Sequence, residues 1–231
     1  MRIHSIEHVD FEGPAAIALW AAQRGHTLAR TRIFAGEPMP QPADYDLLVL
    51  MGGPMSVHDE LEFPWLAGEK GAVRRAVAAG RGVLGVCLGA QMLSEVLGGS
   101  VSRNPHKEIG WHTVRLTPWA AGNPAFAGIP GEFTAFHWHG ETFSIPRGAS
   151  CLAESDACAA QAFAVGARLV GLQFHVETTA ESMEALLKGG AADITAGLYV
   201  QSAEAMQAGV GHLAGLRPLL DRVLDNMARE V

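Results

Sequence analysis

Val83-Leu84-Gly85-Val86-Cys87-Leu88-Gly89-Ala90-Gln91 is a short apolar run that stops at a cysteine, with a glycine two residues to either side. Beyond it, Leu93, Val96 and Leu97 recur at the spacing of one helical face. The stretch predicts a strand that turns sharply into a helix, with a thiol at the corner. The glycines allow the tight turn and a close approach of backbones. Such a corner sets the sulfur at a helix N-terminus, where unpaired N–H groups and the helix dipole favour a thiolate. Two readings are open from these residues alone: a nucleophile, or a buried cysteine that only packs.

Working outward, strand and helix signals alternate from residue 3 to residue 97. Residues 3–9 read as a strand, and Glu12-Gly13-Pro14 opens a helix with Ile17, Leu19 and Trp20 on its apolar side. A second strand over 27–34 is followed by a loop with prolines at 38, 40 and 42. Leu47-Leu48-Val49-Leu50-Met51 is unbroken and apolar, as in a strand covered on both faces, and it ends in Gly52-Gly53-Pro54. Pro64 to Ala79 predicts a helix with Leu66, Val73 and Val77 inward and Glu69, Lys70, Arg74 and Arg75 outward. This rhythm implies an α/β fold, a three-layer open and mostly parallel sheet flanked by helices. Function in such sheets gathers beyond the C-terminal strand ends, where Gly52-Gly53 and Cys87 both fall.

After Gly98-Gly99 the pattern changes. Short strands are expected over 111–116, 133–137, 150–154, 161–164 and 168–174, an antiparallel or mixed extension of the sheet. A short helix is expected over 180–188, and Leu220, Val223, Leu224 and Met227 mark another over 217–229, either sheet cover or a surface for a second subunit. Residues 189–215 are rich in Gly and Ala and yield no clear element. The expected organisation is one domain over 1–231, with 190–231 a C-terminal helical extension packed on it.

With 231 residues and 48% of them hydrophobic, one well-packed core is within reach. A net charge of −7 without a Lys/Arg cluster argues against a nucleic-acid partner. Cys87, Cys151 and Cys158 form no disulfide framework and suit a reducing compartment. No apolar span reaches bilayer length, and the N-terminus lacks a signal-peptide core. The expectation is a cytoplasmic protein with no membrane partner.

Further along, Leu169-Val170-Gly171-Leu172-Gln173-Phe174 leads directly into His175-Val176-Glu177. A strand-end histidine is a candidate base for Cys87, and a glutamate two residues on can fix its tautomer. The alternative is a pair of ordinary solvated residues. Phe136-His137-Trp138-His139-Gly140-Glu141 leaves three readings open: a metal site, for which no third ligand is evident, pocket-wall residues, or structural ones. Residues 103–108 either line the same cleft or form a solvated loop. Met55 to His58 are candidates for its rim. Trp65, Trp111 and Trp119 read as packing.

Gly85-x-Cys87-x-Gly89-x-Gln91, Gly52-Gly53-Pro54 and Gln173-Phe174-His175-Val176-Glu177 together resemble the class I glutamine amidotransferase family, above all stand-alone proteins similar to the glutaminase part of GMP synthase. The resemblance spans roughly residues 44–179 and implies a flavodoxin-like sheet. It implies Cys87 as nucleophile, His175 as base and then acid, and Glu177 as the group orienting His175. The oxyanion hole would come from the backbone N–H groups of Gly53 and Leu88. Gln91, Gly52, His139 and Glu141 would contact substrate. Val176 departs from the proline common at that position, but it also favours extended backbone. The implied reaction is hydrolysis of the γ-amide of glutamine or of a γ-glutamyl compound through a thioester, with no metal and no other cofactor. The partner would be that small-molecule substrate, with a separate synthetase or a homodimer partner as further possibilities. The chain ends at Val231, which favours a free-standing hydrolase over an attached synthetase. A non-catalytic relative and the stress-related chaperone and deglycase proteins are the competing classes. The latter need an acid from the first part of the sheet, and none is evident.

Overall fold

The computed structural model describes residues 1–230; Val231, at the end of the predicted domain and of its predicted extension, lies outside them. The first half alternates as expected: β1 (Arg2–Glu7), α1 (Ala15–Gln23), β2 (Thr27–Arg32), β3 (Leu47–Leu50), α2 (Trp65–Ala78), β4 (Gly82–Val86) and α3 (Leu88–Val96). The second half adds β5 (Val101–Leu116), β6 (Glu132–Phe143), β7 (Ser150–Glu154), β8 (Ala162–Val165), β9 (Leu169–Leu172), α4 (Ala180–Gly189), β10 (Tyr199–Val200), α5 (Ala203–Ala208) and α6 (Leu213–Ala228).

Strands β2, β1, β3, β4 and β9 lie side by side and parallel, the doubly wound order. From β9 the sheet continues antiparallel through β8, β7 and β5, and β6 pairs with β5. The fold is thus α/β, with a mixed sheet between flanking helices. Side-chain alternation explains the two cores. Leu47 and Val49 join the face covered by α1, α4 and α6, whereas Leu48 and Leu50 join the face covered by α2 and α3. The C-terminal helix lies beside α1: Trp20 Nε1 donates to Asp225 at 2.9 Å, and Arg24 pairs with the same carboxylate at 2.8 Å.

Several expectations are corrected. Of the two readings for residues 103–108 the loop gives way: they belong to the long strand β5, with a register shift between Arg103 and Glu108, and Arg103, Asn104 and Lys107 line the cleft, as the other reading expected. Leu19 is 51% exposed, because α1 buries Ala16, Ile17, Trp20 and Ala21 instead. Trp119 is 71% exposed and is not a packing residue. Glu69 and Lys70 are buried, not outward, since each has found ionic partners: His8 for Glu69, and Glu60 with Glu95 for Lys70. The final helix begins four residues earlier than predicted, at Leu213, and accommodates Pro218.

The elbow depends on two glycines. A Cβ on Gly85 would overlap the Gly89 carbonyl, and one on Gly89 would overlap the carbonyl of Leu50 in β3. Gly89→Ala is expected to lower stability by about 2–3 kcal/mol, because backbone rather than a movable side chain fills the space. Gly215 on the exposed side of α6 meets nothing within 4 Å. There the same change should add about 0.5–1 kcal/mol through helix propensity. Urea unfolding midpoints for the two variants would check the contrast.

Candidate active site

Cys87 sits between β4 and α3 at φ 49° and ψ −108°, a left-side conformation that a non-glycine residue rarely adopts. Such a residue costs about 1–3 kcal/mol and is retained when its surroundings enforce it. Here the enforcement is visible: Cys87 N–H donates to Leu172 O at 2.8 Å, and Cys87 O accepts from Ala90 and Gln91 N–H at 3.0 and 3.1 Å. The sulfur opens on a cleft of about 560 Å³. Leu88, the first residue of α3, has an N–H with no helical carbonyl behind it. Around the sulfur, Trp138 O lies at 3.6 Å and the Gln173 side-chain amide at 3.7 Å.

His175 reaches the same place from the other half of the chain. β9 ends at Leu172, and residues 173–177 leave the sheet instead of staying extended as the sequence suggested. One antiparallel bridge to Phe136, with His175 N–H donating to its carbonyl at 2.8 Å, fixes the turn. The ring Nδ1 and Glu177 Oε1 are 2.7 Å apart, both side chains nearly buried. Burial alone would pull the imidazole down. The Glu177 carboxylate and the nearby Cys87 outweigh it, so His175 is raised well above its ordinary value. Cys87 stands near the far side of the ring, while His175 Nε2 makes no well-aligned hydrogen bond. That looseness is ordinary before substrate binds.

The other predicted positions fall at different depths. Gly53, Gln91, His139 and Glu141 line the cleft with Cys87. The Gln91 amide donates to Glu141 O and to Gln173 Oε1, both at 3.3 Å, so its orientation is set before any ligand arrives. Gly52 lies behind the cleft wall, packed between Glu12 and the His175 ring, and its carbonyl faces away toward His8. Met55 and Ser56 form part of the rim.

The His137–His139 pair lies within strand β6, and the third ligand-type residue that was not evident in sequence is Glu108 of β5. Their nearest ligand atoms lie within 4.8 Å of one another. The three are linked through one carboxylate: Glu108 Oε2 is 3.0 Å from His139 Nε2 and 3.4 Å from His137 Nδ1, and it also accepts from the Gln161 amide, while His137 Nε2 is buried without a partner. Burial alone would raise the Glu108 carboxyl, but both imidazoles outweigh it and hold it well below the usual range. Burial pulls His137 down to about 4, against the pull of Glu108. This is a buried hydrogen-bonded group that braces the strand carrying His139.

Sequence reasoning missed Glu12. It follows β1 in a loop, lines the cleft, and stands against Gly52 beside His175. Burial pushes its carboxyl up despite His175 and His8. Glu12 is thus an acid from the first part of the sheet whose partners are Gly52, His175 and His8. Its place directly before Gly13-Pro14, at a C-terminal strand end, was the available signal.

Several known proteins are similar to this chain in sequence and fold. The family model for glutamine amidotransferase class-I matches residues 21–191. The glutamine amidotransferase-like protein YfeJ of Salmonella typhimurium is 37% identical over 192 residues, covering 81% of this chain and 80% of that one. The glutamine-hydrolysing GMP synthase of Leifsonia xyli is 35% identical over 156 residues, which are 66% of this chain and 28% of that protein. Among solved structures, a glutamine amidotransferase from Methylobacillus flagellatus superposes with a TM-score of 0.92 at 30% identity, covering 100% of this chain and 95% of that one. No described helix is long and apolar enough to cross a membrane.

Proposed function

We propose, from the premise that this chain belongs to the class I glutamine amidotransferase family, that it hydrolyses the γ-amide of glutamine or of a γ-glutamyl compound through Cys87. The observation that carries this reading is the nearness of the elbow cysteine to the His175 ring of the 2.7 Å His175–Glu177 pair. Cys87, its proton passed to His175, attacks the γ-carbonyl carbon as a thiolate, and the oxygen takes up the π electrons as an oxyanion. In this reading the N–H groups of Gly53 and Leu88 receive that charge. His175, held as imidazolium by Glu177, passes its proton to the amide nitrogen. The C–N bond then breaks and ammonia or an amine leaves. Water attacks the thioester, His175 takes its proton, and the acid departs as the Cys87 thiolate is restored beside the imidazolium. Gln91 and Glu141 line the cleft where the amino-acid end of such a substrate would lie.

The test is ammonia or amine release by the purified chain from glutamine and from a panel of γ-glutamyl amides and peptides. Turnover of one class above the others supports a self-sufficient hydrolase and identifies its donor. Silence across the panel from folded protein overturns the free-standing reading. A second reading is favoured by the likeness to one part of GMP synthase. In it the chain is a glutaminase that delivers ammonia to a separate synthetase, and hydrolysis rises only when that partner is added.

A further inference from the structure

The residue after β1, His8, turns its ring into the protein and is fully buried. Its Nε2 lies 2.9 and 3.0 Å from the two carboxylate oxygens of Glu69 in α2, and its Nδ1 lies 3.0 Å from the carbonyl oxygen of Gly52. The Trp65 ring stacks on it, with centroids 5.7 Å apart and planes 24° apart. Removing an ionic pair from water costs several kcal/mol unless hydrogen bonds offset it. This one is built against the turn that follows β3.

A carbonyl oxygen can only accept, so Nδ1 carries a proton. Nε2, facing both oxygens of a carboxylate, donates as well. Burial opposes the imidazolium, but Glu69 and the Gly52 carbonyl outweigh it, and His8 is raised above its ordinary value. His8 is therefore a double donor with one end anchored and the other on a glycine carbonyl.

The consequence follows from peptide geometry. In a trans peptide the C=O and the following N–H point to opposite sides, and the described chain has no cis bond. β3 lies between β1 and β4. With the Gly52 carbonyl turned to the β1 side, the Gly53 N–H must face the β4 side, where Cys87 and Leu88 stand. The preceding Met51–Gly52 peptide is turned the opposite way, with its carbonyl on the α3 side. Met51 N–H donates to Ile6 O in β1 at 3.0 Å, and Met51 O accepts from Gly89 N–H in α3 at 3.2 Å. Because glycine occupies both sides of this peptide, neither Cβ resists rotation about it.

We infer that His8, anchored by Glu69, is a positioning residue that locks the Gly52–Gly53 peptide with the Gly53 N–H aimed at Cys87. The oxyanion site is then ready-made, with no partner needed to assemble it. The inference rests on the hydrolase reading for its catalytic consequence, and on the hydrogen bonds alone for its structural one.

Side-chain shape separates this role from core packing. In His8→Asn the amide nitrogen occupies the position of Nδ1 and can still donate to Gly52. In His8→Gln the amide reaches the position of Nε2 and meets Glu69 instead. His8→Leu donates to neither. With a substrate from the panel, His8→Leu and His8→Gln are expected to lose about 10²–10³ in kcat with KM changed less than about threefold. His8→Asn should recover most of it. Alkylation of Cys87 by iodoacetamide, a displacement that forms no oxyanion, should stay within about twofold of wild type in all of them. Equal kcat in His8→Asn and His8→Gln overturns the inference, as does a loss of alkylation that parallels the loss of kcat. A crystal structure of His8→Gln supplies the readout that needs no turnover. A rotated Gly52–Gly53 peptide supports the lock even if wild type proves inactive, and an unchanged one refutes it even if wild type is a fast hydrolase. Should His8→Leu fail to fold, the Asn–Gln pair carries the test.

Discussion

Cys87→Ala should lower hydrolysis of the γ-glutamyl substrate by a factor on the order of 10⁴–10⁶, leaving the fold intact. No other thiol can substitute. Cys158 is buried against Thr142, Cys151 lies in β7, and burial pushes both thiols up, away from the reactive thiolate. Neither lines the cleft. Alanine at position 87 meets the same φ of 49° that cysteine does, so the strain of the elbow is retained and melting should move little. The expected signature is near-complete loss of turnover with unchanged unfolding, and loss of a covalent mass adduct when a γ-glutamyl electrophile is added. Retention of more than about 1% of the wild-type rate would sink the assignment of Cys87 as nucleophile.

Glu177→Gln comes next, with an expected loss of about 10²–10⁴ in kcat. Glutamine is nearly isosteric, so the site keeps its shape while the ring loses its negative partner. The amide oxygen can still accept from Nδ1–H, but the imidazolium is no longer stabilised by charge. Burial then acts with less opposition, and the His175 pKa falls. A second measurement follows from linkage. In wild type His175 is raised above its unfolded value near 6.5, so it adds stability that is complete below that pH and is lost as pH rises through the folded value. The stability gap between wild type and Glu177→Gln should therefore be widest at about pH 6 and should narrow at about pH 9. Urea unfolding at both values would read it. A gap that is flat or that widens with pH would show that Glu177 does not sustain the charge on His175.

The neighbourhood of each predicted centre was legible where the relevant information is local. The β4–α3 elbow could be read because Gly85, Cys87 and Gly89 lie within five residues, and the sterics that require glycine act across that short distance. β3 was legible because four consecutive apolar residues fill two opposite faces. The His175–Glu177 contact was legible as a spacing, although the backbone that brings it about is a turn pinned by Phe136 and not the extended strand the spacing suggested.

Long-range pairing set the rest. Glu69 looked like a solvent-facing helix residue, and only His8, 61 positions earlier, makes its burial tolerable. His8 in turn faces Gly52 across 44 positions. For Glu108 and its neighbours a cleft wall and a loop stayed open until β6 supplied His139, 31 residues on, and pairing set residues 103–108 in β5 beside the cleft. Helix α6 was recognisable from its apolar stripe, but its place beside α1 depends on Trp20 and Asp225, 205 residues apart. Apolar periodicity is written along the chain because water drives it to one side of each element. A charged or polar group has no preferred interior until a partner of opposite character arrives from elsewhere in the fold. Identity of the elbow and of the His–Glu pair thus resides in the sequence, while the direction of the Gly52–Gly53 peptide and the bracing of the cleft belong to the tertiary structure.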